Sequence, residues 1–347
     1  MMQIEILTEK ELCLLAQLII NAQNIVVCCH KSPDGDALGS SLAWAGFLQT
    51  QYGKQVSLIV PDAFPDFLKW MPNIEKVVRF DKYPKECKET FANANLVFCL
   101  DFNATSRVDD MQPLLDETPA KRVMIDHHLE PDMDTALTVS HPEASSTSEL
   151  IFRIIWQMGG FGSMTKQQAV SIYCGMMTDT GGFTYNSSNP EIYFIIGELL
   201  TKGIDKDKIY RNVYHNYSSW AIRLRGYLMS QKLNVFEELH AAYFTISRKD
   251  MADYHFVKGD AEGLVNDPLQ IKGLKLSISL REDDRKDNLI WISLRSVDDF
   301  PCNKVAQEFF NGGGHLNASG GKLFCSLAKA EQVVRRAIIH YENVLKQ

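Results

Sequence analysis

The chain has 347 residues, 45% of them apolar and 23% charged, with a formal net charge of −7. That length exceeds one ordinary core and points to about two domains, while the negative balance excludes a basic surface that coats long duplex nucleic acid. No apolar run approaches the ~18 residues of a membrane span, MMQIEILTEKELCLL lacks the cationic start of a signal peptide, and the eight scattered cysteines form no CxxC, which suits reduced thiols in a cytoplasmic protein.

The first half alternates apolar strands with helical patterns. Ile25–Cys29 reads as a strand, DALGSSLAWAGFLQTQYG as a helix with Gly53 near its end, and Val56–Val60 as the next strand. Further strands are Asn95–Leu100 (NLVFCL) and Arg122–Ile125 (RVMI). Helical patterns follow at Ser146–Met158, Lys166–Met177 and Glu191–Lys202, with Thr165 and Asn189 as N-caps and Pro190 at a first helical position. Runs so continuously apolar suit strands buried on both faces. The expected fold is therefore α/β, a mostly parallel sheet with helices on both faces.

The texture changes after about residue 205. A long amphipathic stretch, Asp205 to Asn234, carries Trp220, Leu224 and Leu228 at helical spacing and reads as a connector. AAYFTIS, LKLSISLRED and NLIWISLRSV are partly alternating strands, the last two separated by the charged turn DDRKDN. A helix at Asn303–Phe310, the segment NGGGHLNASGG and a final helix from Leu327 to Leu345 complete a smaller α+β domain with an antiparallel component.

The polar residues at the strand ends carry the chemistry. In HKSPDGDALGS, His30 follows the first strand, and Pro33 and Gly35 bend the chain around Asp34 and Asp36. Asp101 ends NLVFCLD, Asp126-His127-His128 ends RVMI, and Asp179 closes QQAVSIYCGMMTDT before Gly181-Gly182. In a parallel sheet the strand ends share one edge, and that edge binds ligands in open α/β folds. Alone, Asp34 and Asp36 are ordinary turn residues, Asp101 a helix cap and Asp179 a helix-end residue. Two adjacent histidines after a buried strand have no such packing use. So many acceptors on one edge repel unless cations neutralise them. Mixed carboxylate and imidazole donors without thiolates suit Mn²⁺ first, with Mg²⁺ or Co²⁺ as alternatives. Six donors are more than one ion takes from a protein, which implies two divalent metals roughly 3.5–4 Å apart with a bridging carboxylate. Asp101, arriving on a central strand, is the candidate bridge.

In the second half, Gly312, Gly313 and Gly314 allow backbone amides to approach an anion. His315 can donate to a phosphate or stack on a base. Arg295, ending IWISLRS, is a partner for the same phosphate. ASSTSE (Ala144–Glu149) reads as an N-capped helix start. Arg107 stays unassigned.

HKSPDGDALGS, LDFNATSR, IDHH and GMMTDTGGF resemble, in order, the four motifs of the DHH phosphoesterase superfamily, and GGGHLNASGG resembles the glycine motif of its DHHA1 companion domain. At this length the chain is similar to the nano-RNase family, bifunctional oligoribonucleases that also dephosphorylate 3′-phosphoadenosine 5′-phosphate. The resemblance implies His30, Asp34, Asp36, Asp101, His127 and Asp179 as metal ligands, Asp126 as their support and His128 facing the scissile phosphate. It implies a metal-binding domain over 1–205, a helical connector over 206–234 and a substrate-binding DHHA1 domain over 235–347, across a cleft that admits short single-stranded oligonucleotides or a nucleoside bisphosphate. It further implies a homodimer. Rival expectations are a cyclic- or linear-dinucleotide phosphodiesterase, a pyrophosphatase, a longer processive exonuclease, and a silent nucleotide sensor.

Overall fold

The computed structural model describes residues 4–257 and 259–347. The chain forms two compact units, Met1–Asn216 and Tyr217–Gln347.

The N-terminal unit is built on parallel strands β1 (Asn24–Cys29), β2 (Gln55–Val60), β3 (Val78–Arg79), β4 (Leu96–Leu100), β5 (Lys121–Asp126) and β6 (Leu137–Ser140). Their order is β3-β2-β1-β4-β5-β6. The chain thus moves outward from β1 to β3 and then returns to the other side of β1, leaving a topological switch point between β1 and β4. The helices are α1 (Glu9–Asn21), α2 (Gly35–Tyr52), α3 (Pro84–Ala92), α4 (Gln112–Glu117), α5 (Thr147–Gln157), α6 (Lys166–Asp179), α7 (Pro190–Thr201) and α8 (Lys206–Tyr214).

Strand side chains alternate between two cores, as expected of a sheet covered on both faces. Ile25, Val27, Cys29, Phe98 and Leu100 pack with buried residues of α1, α2, α5 and α6. Val26, Cys28, Ile59, Val97 and Cys99 face a second core with Cys87 and Phe91 of α3 and Leu114 and Leu115 of α4. Helix α2 is buried along most of its length because its small residues admit close neighbours. A Cβ on Gly39 would lie 2.5 Å from Ser171 O and 3.0 Å from Gly175 Cα in α6, so only glycine permits this approach.

The C-terminal unit carries β7 (Asn234–Phe236), β8 (Ala241–Ile246), β9 (Leu276–Glu282), β10 (Leu289–Ser296), β11 (Gly313–Gly314) and β12 (Ala318–Phe324), in the order β11-β12-β10-β9-β8-β7. All neighbours are antiparallel except β8 and β9. Its helices are α9 (Ser219–Tyr227), α10 (Arg248–Asp253), α11 (Cys302–Phe309), α12 (Leu327–His340) and α13 (Glu342–Leu345). One sheet face buries Tyr243, Ile278, Ile292 and Leu294 against α11 and α12, and on β8 the opposite face buries Phe244 and Ile246 with Leu224 of α9 and Leu228 just after it.

Several local features go beyond the sequence reading or differ from it. The Asp205–Asn234 stretch holds two helices: α8 stops at Tyr214, and Ser218 caps α9 by accepting from Ala221 N. The final helix likewise breaks at Tyr341 into α12 and α13. Helix α1, unmarked in the sequence reading, has a reciprocal capping box between Thr8 and Glu11 and buries Leu15, Leu18 and Ile19. No helix among the described residues is long and apolar enough to cross a membrane.

Candidate active site

Each donor is delivered by a strand end or a helix end. His30 follows β1, the loop turns through Pro33, and Asp34 caps α2, its Oδ1 accepting from Asp36 N and Ala37 N at 3.0 Å each. Oδ2 of Asp34 is left 3.7 Å from His30 Nε2. The same loop is tied down where Lys31 N donates to Arg107 O at 2.8 Å; the Arg107 side chain itself is exposed. Asp101 follows β4 with φ of +65°, a backbone region that a non-glycine residue occupies only when its surroundings enforce it. Asp126 ends β5, His127 and His128 come next, and Asp179 ends α6.

These ends converge around Asp101. Its Oδ2 lies 3.4 Å from His30 Nε2, and its Oδ1 lies 3.5 Å from His127 Nε2. His127 Nε2 is also 3.5 Å from Asp179 Oδ2 and 4.0 Å from Asp36 Oδ2. Donor atoms of His30, Asp34 and Asp101 lie within 4.8 Å of one another, as do those of Asp36, Asp101 and His127. The two oxygens of Asp101 thus face two different donor sets, the arrangement a bridging carboxylate between two cations requires.

The outer contacts suit metal ligation as well. His30 Nδ1 donates to Lys31 O at 2.8 Å and His127 Nδ1 to Ala144 O at 3.4 Å. A carbonyl can only accept, so each ring carries a proton on Nδ1 and points Nε2 toward the carboxylates, the nitrogen that would give up its own proton to a cation. His128 Nδ1 donates to Asp126 Oδ1 at 2.7 Å, and His128 N donates to Asp126 Oδ2 at 3.1 Å. Asp126 therefore holds His128 rather than joining the donor pair directly.

Electrostatics explain why this set needs cations. On His30, burial is the largest influence and disfavours charge. The hydrogen bond to Asp101 and the charges of Asp34 and Asp101 outweigh it and push the imidazole up to about 9. On Asp101, burial pulls upward, yet His30, His128 and His127 hold the carboxyl well below the usual range. Asp36 goes the other way: burial first, then the charges of Asp101 and Asp179, push it well above the usual range. Divalent cations among these oxygens would remove the conflict.

The sequence reading missed the role of the first turn of α5. Thr147 Oγ1 donates to Asp101 Oδ1 at 2.9 Å, and Thr147 N and Ser148 N donate to Asp36 Oδ2 and Oδ1 at 2.7 and 2.8 Å. The available signal was a run of five polar residues, Ser145–Glu149, all of them at most 1% exposed; one N-cap needs a single hydroxyl.

In the C-terminal unit, Arg295 on β10 pairs with Ala318 on β12, next to the pair of Ser319 with Gly314. Gly313 and Gly314 form β11 instead of an open loop. The close strand approach requires the glycines: a Cβ on Gly312 would lie 1.9 Å from Gly320 O. His315 N donates to Ala318 O at 2.8 Å. Arg295 Nη1 donates to Leu294 O at 2.9 Å, while its buried Nε has no hydrogen-bond partner among the described residues.

A doubly wound parallel sheet with a carboxylate–imidazole cluster at its switch point is the frame of a metal-dependent phosphoesterase. Residues 24–176 match the family model described as "DHH family, N-terminal domain", so this part of the chain is a DHH-family domain. The chain is 48% identical to an exopolyphosphatase-related protein from Bacteroides fragilis of known crystal structure, over 98% of both chains and with a TM-score of 0.93. It is 25% identical to the bifunctional oligoribonuclease and PAP phosphatase NrnA of Bacillus subtilis, over 86% of this chain and 89% of that one. It is also 25% identical to the cyclic-di-AMP phosphodiesterase PdeA of Listeria monocytogenes, over 94% of this chain and 49% of that longer protein.

Proposed function

We propose that this protein hydrolyses short single-stranded oligoribonucleotides to mononucleotides and removes the 3′-phosphate of 3′-phosphoadenosine 5′-phosphate. The observation that carries the reading is Asp101, whose two oxygens face separate carboxylate–imidazole sets. His30, Asp34, Asp36, Asp101, His127 and Asp179 would hold two divalent cations, Mn²⁺ by the donor chemistry, with Mg²⁺ or Co²⁺ as substitutes. When bound, such cations lower the pKa of a water and polarise a phosphoryl oxygen.

The chain's own residues do the rest. Asp126 orients the His128 ring through its Nδ1 and its backbone amide, so that His128 Nε2 would face a phosphoryl or leaving oxygen. Thr147 holds Asp101 in place, and the α5 amides hold Asp36. In the second domain, Arg295 has a buried donor still to satisfy, and we assign it, Gly312–Gly314 and His315 to gripping a phosphate or nucleoside of the substrate. The reading includes a cytoplasmic homodimer, with residues 1–205 carrying the metals, 206–234 connecting and 235–347 reading the substrate.

The likeness to a cyclic-di-AMP phosphodiesterase supports a second reading, cleavage of cyclic or linear dinucleotides. A screen with Mn²⁺ over di- to pentanucleotides, 3′-phosphoadenosine 5′-phosphate, cyclic di-AMP and pyrophosphate separates the two. Fast release of mononucleotides and AMP is expected. Turnover of cyclic di-AMP alone would transfer the assignment to the second reading, and turnover of pyrophosphate alone would refute both.

A further inference from the structure

The stretch that follows Asp179 turns sharply and is held by more bonds than a surface turn needs. Gly181, Gly182 and Phe183 have φ of +56°, +73° and +65° in succession. Gly182 N donates to Met177 O at 2.7 Å, Phe183 N to Thr180 Oγ1 at 3.1 Å, and Thr184 N and Tyr185 N both donate to Thr180 O, at 2.9 and 3.2 Å. This turn folds Tyr185 back onto Gly181 so closely that a Cβ there would lie 2.2 Å from Tyr185 Cε1. Beside it, a Cβ on Gly182 would lie 3.2 Å from Tyr210 Cε2 and 3.7 Å from Tyr214 Cε2. The Tyr210 and Tyr214 rings are 4.8 Å apart, and Tyr214 is anchored by donating its hydroxyl to Met177 O at 3.2 Å.

Two of these rings are only half covered. Tyr185 is 44% exposed and Tyr210 is 42% exposed, so packing on the glycines accounts for only part of their surface. Gly181 lies two residues from Asp179, at most about 7 Å along the chain. The aromatic surface therefore begins one nucleotide's reach from a carboxylate of the metal cluster. Rings rigidly placed beside a phosphate site have one obvious complement, the planar base attached to that phosphate, and base–aromatic stacking tolerates any of the four bases.

We propose that Tyr185, continued by Tyr210, is the stacking surface for the nucleobase of the nucleotide whose phosphate is held at the metal cluster, and so makes this site prefer nucleotides over other phosphoesters. This inference rests on the oligonucleotide reading above. Tyr185 is a positioning residue here, since it touches the base and not the reacting atoms.

The test is a double-mutant cycle between residue and base. KM and kcat are measured with Mn²⁺ for a dinucleotide and for the same dinucleotide with one base replaced by an abasic sugar, in the native protein, Tyr185→Ala and Tyr185→Phe. In the native protein, loss of the base at one of the two positions is expected to raise KM roughly tenfold. That ratio should fall to near one in Tyr185→Ala and survive in Tyr185→Phe, whose ring can still stack. If Tyr185→Ala keeps the native ratio at both positions, the stacking role is overturned while the oligonucleotide reading stands. If the native protein cleaves no dinucleotide at all, both fall together. Circular dichroism of Tyr185→Ala separates a folding defect from a lost contact; should it misfold, Tyr210→Ala is put through the same cycle, with the same two outcomes.

Discussion

At Asp101 a single side chain is held from three directions: His30 on one oxygen, Thr147 and His127 on the other, and a left-handed backbone beneath. Replacing it with asparagine keeps the shape but removes the charge that both donor sets share. Asp101→Asn should lose at least about 10³-fold in kcat while keeping native circular dichroism, and retention of Mn²⁺-dependent turnover would sink the bridging role. Thr147→Val is a finer probe, because it deletes one hydroxyl contact at constant volume. A loss of about 10–100-fold in activity or metal affinity is expected, with recovery in Thr147→Ser. The candidate donors were readable in sequence only as a set: each acid alone suits a turn or a helix end, but together with the paired histidines they fall at one edge of a parallel sheet. Thr147 and Ser148 were not. Hydroxyls and amides serve every helix start, and only the fold shows that the amides of these two reach Asp36, more than a hundred positions earlier.

Among the elements, α2 and α6 fit together through bare backbone. Gly39 admits the carbonyl of Ser171, and Gly175 admits Ser148, whose Oγ would lie 1.9 Å from an added Cβ, with Asp36 Oδ1 at 2.9 Å. Gly39→Ala should therefore lower stability by about 1–3 kcal/mol, as overpacking does, seen as a lower urea midpoint. Gly175→Ala should in addition weaken Mn²⁺ binding in a titration, because Ser148 also holds Asp36 by its amide. Equal metal affinity in the two variants would disconnect the helix contact from the site. Long buried strands and N-capped helices were legible from periodicity and caps. The short β3 and β6 were not, because a strand of a few residues carries too little periodicity to be told from loop. The glycine run at Gly312–Gly314 reads in sequence as amides exposed to an anion; its pairing with strand β12 is a long-range choice that local sequence does not encode.

Over the whole molecule, the strand order sets where chemistry can occur. The switch point between β1 and β4 gathers ends that are about seventy residues apart in sequence, so the site is a product of topology and not of any one motif. Binding confined to the folded state stabilises it by mass action. Mn²⁺ at about a hundredfold excess over its Kd should add about 2.7 kcal/mol and raise the thermal midpoint, reversibly with chelator. The shift should shrink in Asp101→Asn; an unchanged midpoint with Mn²⁺ in the native protein would refute the metal assignment.

The grip of α5 on Asp36 has one more consequence. Two main-chain amides at the start of a buried helix fix both oxygens of that carboxylate, so its position is set by the scaffold before any ion arrives. An ion must therefore match a spacing it does not choose. Selection among metals then becomes a matter of radius and coordination preference measured against a rigid gauge, rather than of how strongly each ion attracts oxygen and nitrogen.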